Sequence, residues 1–197
     1  MITADDIDTL LFDVLGTVVD EAGSMQAEVA AALGQADDSA HAEALAEVLR
    51  DGPALPEPAV RHLALAGHRL RPFPDAVAAL RGLAGRFTIV ALSNGNLSLL
   101  TDLFAGAGLT WHGVLSGEMV HAYKPDPAVY RFALDRLALD PRRTLMVAAH
   151  AWDLRAAAGF GLRTAFLQRA GEDEPRPSDA FDLTVPDLAA LAARLLA

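Results

Sequence analysis

The chain has no cysteine, so neither a disulfide framework nor a thiol nucleophile is available to it. It also lacks a basic stripe: 16 Lys and Arg against 26 Asp and Glu leave a net charge of −10, which argues against a nucleic-acid surface. No apolar run approaches a membrane span, and the opening MITADDIDTL has no charged-then-apolar layout of a signal peptide. The cytoplasm is therefore the expected compartment. No internal repeat or low-complexity linker is visible. What the chain does have is apolar material: 52% of its 197 residues are hydrophobic, enough to bury the core of one full α/β domain with a small insertion.

Short apolar runs bounded by Gly, Asn or charge predict strands at 8–12, 87–92, 145–149 and 163–167. Between them, Val77, Leu80 and Leu83 form a helical stripe entered after Pro74, and Val129, Phe132, Ala133 and Leu137 form another entered through prolines. A further helix over Leu154 to Ala158 would be stopped by Gly159 and Gly161. This alternation predicts an α/β fold with a Rossmann-like, doubly wound parallel sheet. Residues 21–72 break the alternation and read as three helical pieces, 24–33, 40–50 and 57–70. The expected division is a core of 1–20 and 73–197 with a shortened helical cap at 21–72.

Four pieces carry the chemistry. The run LLFDVLGTVVD ends its apolar stretch in Asp13, followed by Gly16 and Thr17; ALSNGN (91–96), AYKPDPAVY (122–130) and MVAAHAWDL (146–154) follow in order. Each places polar side chains where a parallel sheet presents them, at the carboxyl ends of its strands or at a helix start. Asp13 is the candidate nucleophile.

In this order the pieces resemble the haloacid dehalogenase superfamily, and within it the type II 2-haloacid dehalogenase branch. The resemblance covers residues 7–20 and about 70–170 well. Most members of the wider superfamily are magnesium-dependent phosphatases with a second Asp two positions after the nucleophile, and here that position is Leu15. Where those enzymes carry a glycine–aspartate pair, this chain has Ala148 and Ala149, and Asp153 alone remains of the acidic set.

This departure separates two chemistries. A phosphoryl group brings several negative charges to an anionic nucleophile, and a divalent cation is needed to offset the repulsion. A haloacid brings one carboxylate and a neutral reacting carbon, and halide leaves without a proton. Asp13 would displace halide from a short 2-haloacid and form an ester, which water then hydrolyses at the Asp13 carbonyl carbon. No metal and no other cofactor is expected.

The resemblance also assigns neighbours. Thr17, grouped with the substrate-binding residues, binds Asp13 through its hydroxyl and caps the next segment as well. Ser93 and Asn94 hold the substrate carboxylate and help bind the departing halide, while Asn96 reads as a helix cap. Lys124 keeps Asp13 ionised and pairs with Asp153, which orients or activates the hydrolytic water. Taken without the resemblance, Asp153 would be an N-cap before Leu154. Tyr130 reaches the substrate or the lysine–aspartate network, or is a core aromatic with a bonded hydroxyl. His150 stands where the best-known dehalogenases have asparagine, and it is either a general base for ester hydrolysis or a structural donor. The cap arginine that grips halide has four candidates, Arg50, Arg61, Arg69 and Arg71; Arg50 is preferred because it ends a helical piece.

The expected partner is therefore a small anionic substrate, with no nucleic acid and no membrane, and a homodimer is left open. Two other readings stand beside the dehalogenase: a phosphatase of small phosphate esters with a sparse metal site, and a non-catalytic homologue whose short cap no longer encloses substrate.

Overall fold

The structure, a computed structural model, describes residues 2–33 and 57–197. Among these, β1 (Thr9–Phe12), β4 (Thr88–Ser93), β5 (Gly113–Ser116), β6 (Thr144–Ala148), β7 (Arg163–Leu167) and β8 (Leu183–Val185) form one sheet in the order β5-β4-β1-β6-β7-β8. Every pairing in it is parallel. The chain runs outward from β1 through β4 to β5, then returns past β1 to build β6, β7 and β8 on the other side. β1 is thus the switch point, where an open α/β sheet leaves a crevice beyond the strand ends.

Alternation along the strands explains why their sequences are apolar throughout. Leu10, Phe12, Ile89, Ala91, Leu145 and Val147 join one buried cluster, while Leu11, Val90, Leu92, Met146 and Ala148 join a second. Successive side chains of a strand point to opposite faces, so both faces of the sheet are covered. The first face is packed by α3 (Ala76–Ala84), α4 (Leu97–Ala107) and α7 (Leu188–Leu196) through residues such as Leu80, Leu100 and Leu191. The second is packed by α5 (Pro127–Arg136) and α6 (Ala151–Ala158) through Val129 and Leu154.

The four strands predicted from the sequence are present within a residue or so of their expected bounds. The sheet also contains β5 and β8, which were not anticipated. GVLS and LTV are too short to show a period, and each joins the sheet along its edge. Helix α6 begins earlier than expected. His150 occupies its N-cap and Asp153 lies inside the first turn, so the simple capping reading of Asp153 is replaced by a buried position facing the site.

Of residues 21–72, α1 (Glu21–Leu33) and α2 (Glu57–Ala64), with a short 3₁₀ turn at Ala66–Arg69, match two of the expected helical pieces. The third piece, 40–50, and with it Arg50, lies outside the described residues. The two ends of the segment are joined by a short antiparallel ribbon, β2 (Val19–Asp20) with β3 (Arg71–Pro72). Ser24 Oγ accepts the Arg71 N–H at 2.9 Å across the same junction. Glu28 binds both His62 at 2.7 Å and Arg69 at 3.0 Å, tying α1 to the returning chain.

Candidate active site

Asp13 immediately follows β1, and its N–H is held by the Val147 carbonyl of β6 at 3.0 Å. The chain then turns back on itself, with Gly16 at φ 76°, a conformation that glycine adopts without the Cβ penalty. The turn returns Thr17 beneath the carboxylate. Its hydroxyl donates to Asp13 Oδ2 at 2.7 Å and accepts the Ala149 N–H at 2.9 Å. That hydroxyl bridges Asp13 and the end of β6, so Thr17 supports Asp13.

Lys124 arrives from the far side of the sheet. Its backbone is clasped by Asn94 at the end of β4: Asn94 Oδ1 accepts the Lys124 N–H at 2.6 Å, and Asn94 Nδ2 donates to the Lys124 carbonyl at 3.1 Å. After it, Asp126 caps α5 by accepting the Ala128 N–H at 2.8 Å, with Pro127 in the first turn. The Lys-Pro-Asp-Pro string is therefore a helix start that presents an ammonium inward. Lys124 Nζ donates to Asp13 Oδ1 at 2.7 Å and to Asp153 Oδ2 at 2.5 Å. Tyr130 Oη donates to the other oxygen of Asp153 at 2.6 Å. The Tyr130 ring is fully buried and stacks on Phe160, and its bond to Asp153 joins it to the lysine–aspartate network.

Burial dominates the electrostatics, since the side chains of Lys124, Asp13 and Asp153 are only 1%, 7% and 0% exposed. For Asp13 burial alone would raise the pKa, but the Lys124 charge and His150 outweigh it and hold the carboxyl well below the usual range. Lys124 is likewise opposed by burial, yet its two carboxylate partners push it above the ordinary lysine value. Asp153 goes the other way: burial, helped by the nearby Asp13 charge, raises it in spite of Lys124. Burial and the Asp153 charge push the Tyr130 hydroxyl upward as well, so it remains a donor.

His150 lies between two carboxylates. Nδ1 is 2.9 Å from Asp13 Oδ2, and Nε2 is 2.8 Å from Glu172 Oε2. Burial would lower its pKa, but the bond and charge of Asp13 and the charge of Glu172 raise it. An imidazolium satisfies both contacts as a double donor. Glu172, on the loop after β7, was not singled out from the sequence, although GEDE at 171–174 follows a parallel strand at its carboxyl end, where such sheets place functional loops. Asp173 of the same loop accepts the Trp152 N–H at 2.9 Å, which fastens the loop to α6. Trp152 packs its ring 5.4 Å from that of His150. Glu21, at the start of α1, is a second unanticipated carboxyl; burial, then Glu172 and Asp13, raise its pKa.

Ser93 is fully buried and its Oγ accepts the Gly95 N–H at 3.1 Å, so the Ser-Asn-Gly-Asn string is a turn. Asn96 caps α4, accepting the Leu99 N–H at 2.8 Å. Of the arginine candidates, Arg69 is bound to Glu28 and to the carbonyls of Leu65 and His62, and Arg71 is exposed in β3. Among the described residues, the cations hydrogen-bonded to Asp13 are Lys124 and His150.

The divalent ion that the wider superfamily implies does not fit this arrangement. All four oxygens of Asp13 and Asp153 already accept from Lys124, Thr17, His150 or Tyr130. Leu15 packs against the core, and Ala149 offers only a methyl group.

A six-stranded parallel sheet with an aspartate at the end of its central β1 and a lysine bridging to a second aspartate defines a class, and the sequence match agrees with it. Residues 39–161 match the haloacid dehalogenase-like hydrolases, and the chain belongs to that family. It is 38% identical over 110 residues to (S)-2-haloacid dehalogenase 1 of Pseudomonas sp. (strain CBS-3), a stretch covering 54% of this chain and 48% of that protein. The chain thus matches about half the length of that curated relative. Solved structures match more completely. One L-2-haloacid dehalogenase superimposes with a TM-score of 0.80 at 32% identity, covering 95% of this chain and 97% of the other. The L-2-haloacid dehalogenase from Xanthobacter autotrophicus with chloropropionic acid covalently bound matches at 27% identity, with a TM-score of 0.73 over 95% of this chain and 97% of that one.

Proposed function

We propose that this chain is a cytoplasmic, metal-independent hydrolase that removes halide from short 2-haloacids through an ester on Asp13. The observation that carries the reading is the Lys124 ammonium lying between Asp13 and Asp153, with no carboxylate at position 15. An ionised Asp13 is a competent nucleophile toward a neutral carbon, and Lys124 keeps it ionised inside a dry site. A phosphate ester would meet the same carboxylate with its charges uncompensated. The named relatives that act on 2-haloacids support the same reading.

Asp13 displaces the halide, whose carbon takes the oxygen; Asp13 Cγ then accepts water, and cleavage of the Cγ–O bond frees a 2-hydroxy acid. On this reading Asp153, its pKa raised by burial and its other oxygen bonded by Tyr130, takes a proton from that water. His150 acts as a donor to Asp13 rather than as a base, because both ring nitrogens face carboxylates. Ser93 and Asn94 wall the substrate side. The described ends of the 21–72 segment, α1 and α2, join the core through the β2–β3 ribbon and belong to the proposed cap; Arg50, the preferred halide contact, lies outside the described residues.

The decisive assay is halide release from chloro-, bromo- and fluoroacetate and both 2-chloropropionate enantiomers, with and without chelator. Release unaffected by chelation is expected. Turnover of phosphate esters that requires added Mg²⁺ would remove the dehalogenase reading.

A further inference from the structure

Asp13 treats its two oxygens differently. Oδ1 accepts one bond, from Lys124, whereas Oδ2 accepts two, from Thr17 Oγ1 at 2.7 Å and His150 Nδ1 at 2.9 Å. Two donors lower the nucleophilicity of an oxygen, so Oδ1 is the better attacking atom and Oδ2 becomes the carbonyl oxygen of the ester. Once the ester forms, Oδ2 is the atom on which negative charge develops when water adds to Cγ. Donors already aimed at such an atom are the usual means of stabilising that charge, and loss of one costs roughly 10²–10³ in rate.

Thr17 is fixed in place by the Ala149 N–H. His150 is fixed by Glu172, whose Oε2 lies 2.8 Å from Nε2. Gly16 gives this pair its room: a Cβ at that position would fall 2.6 Å from Glu172 Oε1 and 3.0 Å from His150 Cε1. The two side chains are only 18% and 21% exposed, so the pair is largely shielded from water. Its geometry is informative because the far end of the imidazole rests on the nucleophile.

Resting on the dehalogenase reading above, we propose that Glu172 is a positioning residue for ester hydrolysis. It holds His150 so that Nδ1–H, together with the Thr17 hydroxyl, forms a two-donor oxyanion hole around Asp13 Oδ2. Water adds to Cγ and the carbonyl π pair moves onto Oδ2. The pair then returns as Cγ–Oδ1 breaks, and Oδ1 leaves as the hydroxyl of the 2-hydroxy acid. One proton of the water goes to that hydroxyl and the other to Asp153 or solvent, while its oxygen stays in the restored carboxylate. The charged groups facing His150 are Asp13 at the end of β1, Lys124, Glu172 after β7 and Glu21 at the start of α1. Of these, Glu172 is the one that bonds Nε2.

Single-turnover experiments on the full chain with 2-chloropropionate separate the two steps, chloride release reporting alkylation and the mass of the Asp13 peptide reporting hydrolysis. Glu172→Ala should leave chloride release within about twofold, slow hydrolysis about tenfold or more, and let ester accumulate. Glu172→Gln retains an acceptor for Nε2–H and should restore hydrolysis to within about threefold below neutrality, with its alkaline limb moved to lower pH. Equal slowing of both steps in Glu172→Ala, or unchanged hydrolysis, overturns the proposal. Titration of His150 by NMR is independent of turnover: Glu172→Ala should lower its midpoint by about one pH unit, the change expected on losing an adjacent carboxylate. An unmoved midpoint overturns Glu172's hold on His150. A wild-type chain that releases no halide, yet shows the shifted midpoint, removes the dehalogenase reading and keeps that hold.

Discussion

Asn94 grips Lys124 by its main chain, accepting the N–H at 2.6 Å and donating to the carbonyl at 3.1 Å. The amide expected to face substrate therefore also sets where the ammonium points. Asn94→Ala should lower kcat at least tenfold by loosening Lys124, since small displacements of a reacting constellation are costly. A rise in KM with kcat unchanged would instead assign Asn94 to substrate binding alone.

Asp13 as nucleophile makes a distinct isotopic claim. In a single turnover in heavy-oxygen water, label should enter Asp13 first, because water attacks the enzyme ester and the product carries the old carboxylate oxygen. Asp13→Asn should abolish halide release. Label found directly in the product would mean that water attacks the substrate carbon.

Lys124, Asp153 and Tyr130 form one buried chain of bonds, so their mutational effects should not add. Lys124→Ala leaves Asp153 buried without a cation and Asp13 with His150 alone, and should destabilise the fold by about 3–5 kcal/mol. Tyr130→Phe removes one donor and should cost about 1–3 kcal/mol. Denaturant unfolding of the single and double variants tests this. Additive losses in Lys124→Ala with Asp153→Asn would mean that the two side chains act separately.

The pH dependence rests on His150, whose folded pKa is raised above its ordinary value of about 6.5. A raised histidine contributes stability that is fully present below that ordinary value and is lost as pH climbs through the folded one. The thermal midpoint of the wild type should therefore fall across the alkaline side of neutrality, and kcat with it. His150→Asn keeps a donor near Asp13 but cannot titrate, so its profile should be flatter. Identical slopes in the two proteins would assign the alkaline loss to another group.

How much of this could be read in the chain follows from physical range. Asp13, Lys124 and Asp153 were legible because each ends or begins an element whose apolar pattern is local, and the parallel sheet brings such ends together. The central strands were legible for the same reason. Glu172 was not, since its partner His150 precedes it by a whole βα unit and nothing in GEDE marks one carboxylate above the next. Tyr130 left two readings open because a buried hydroxyl satisfies both; only the bond to Asp153 shows that they coincide.

Gly16 combines two constraints that mutation can separate. Its φ of 76° disfavours any side chain, and its missing Cβ leaves space that Glu172 and His150 occupy. Backbone strain alone costs about 1–2 kcal/mol for a residue with a Cβ. Gly171, at φ 86° with nothing near its absent Cβ, supplies the comparison, so Gly171→Ala should show that cost and little else. Gly16→Ala should cost more and should also slow turnover, because the new methyl displaces the glutamate that holds the histidine. Adding Glu172→Ala to Gly16→Ala should then recover part of the lost stability, as steric coupling between neighbours predicts. Unfolding of the four variants decides it: if Gly16→Ala costs no more than Gly171→Ala, and Glu172→Ala adds its full effect on top, the glycine serves the turn alone and the closeness of Glu172 to it has no energetic consequence.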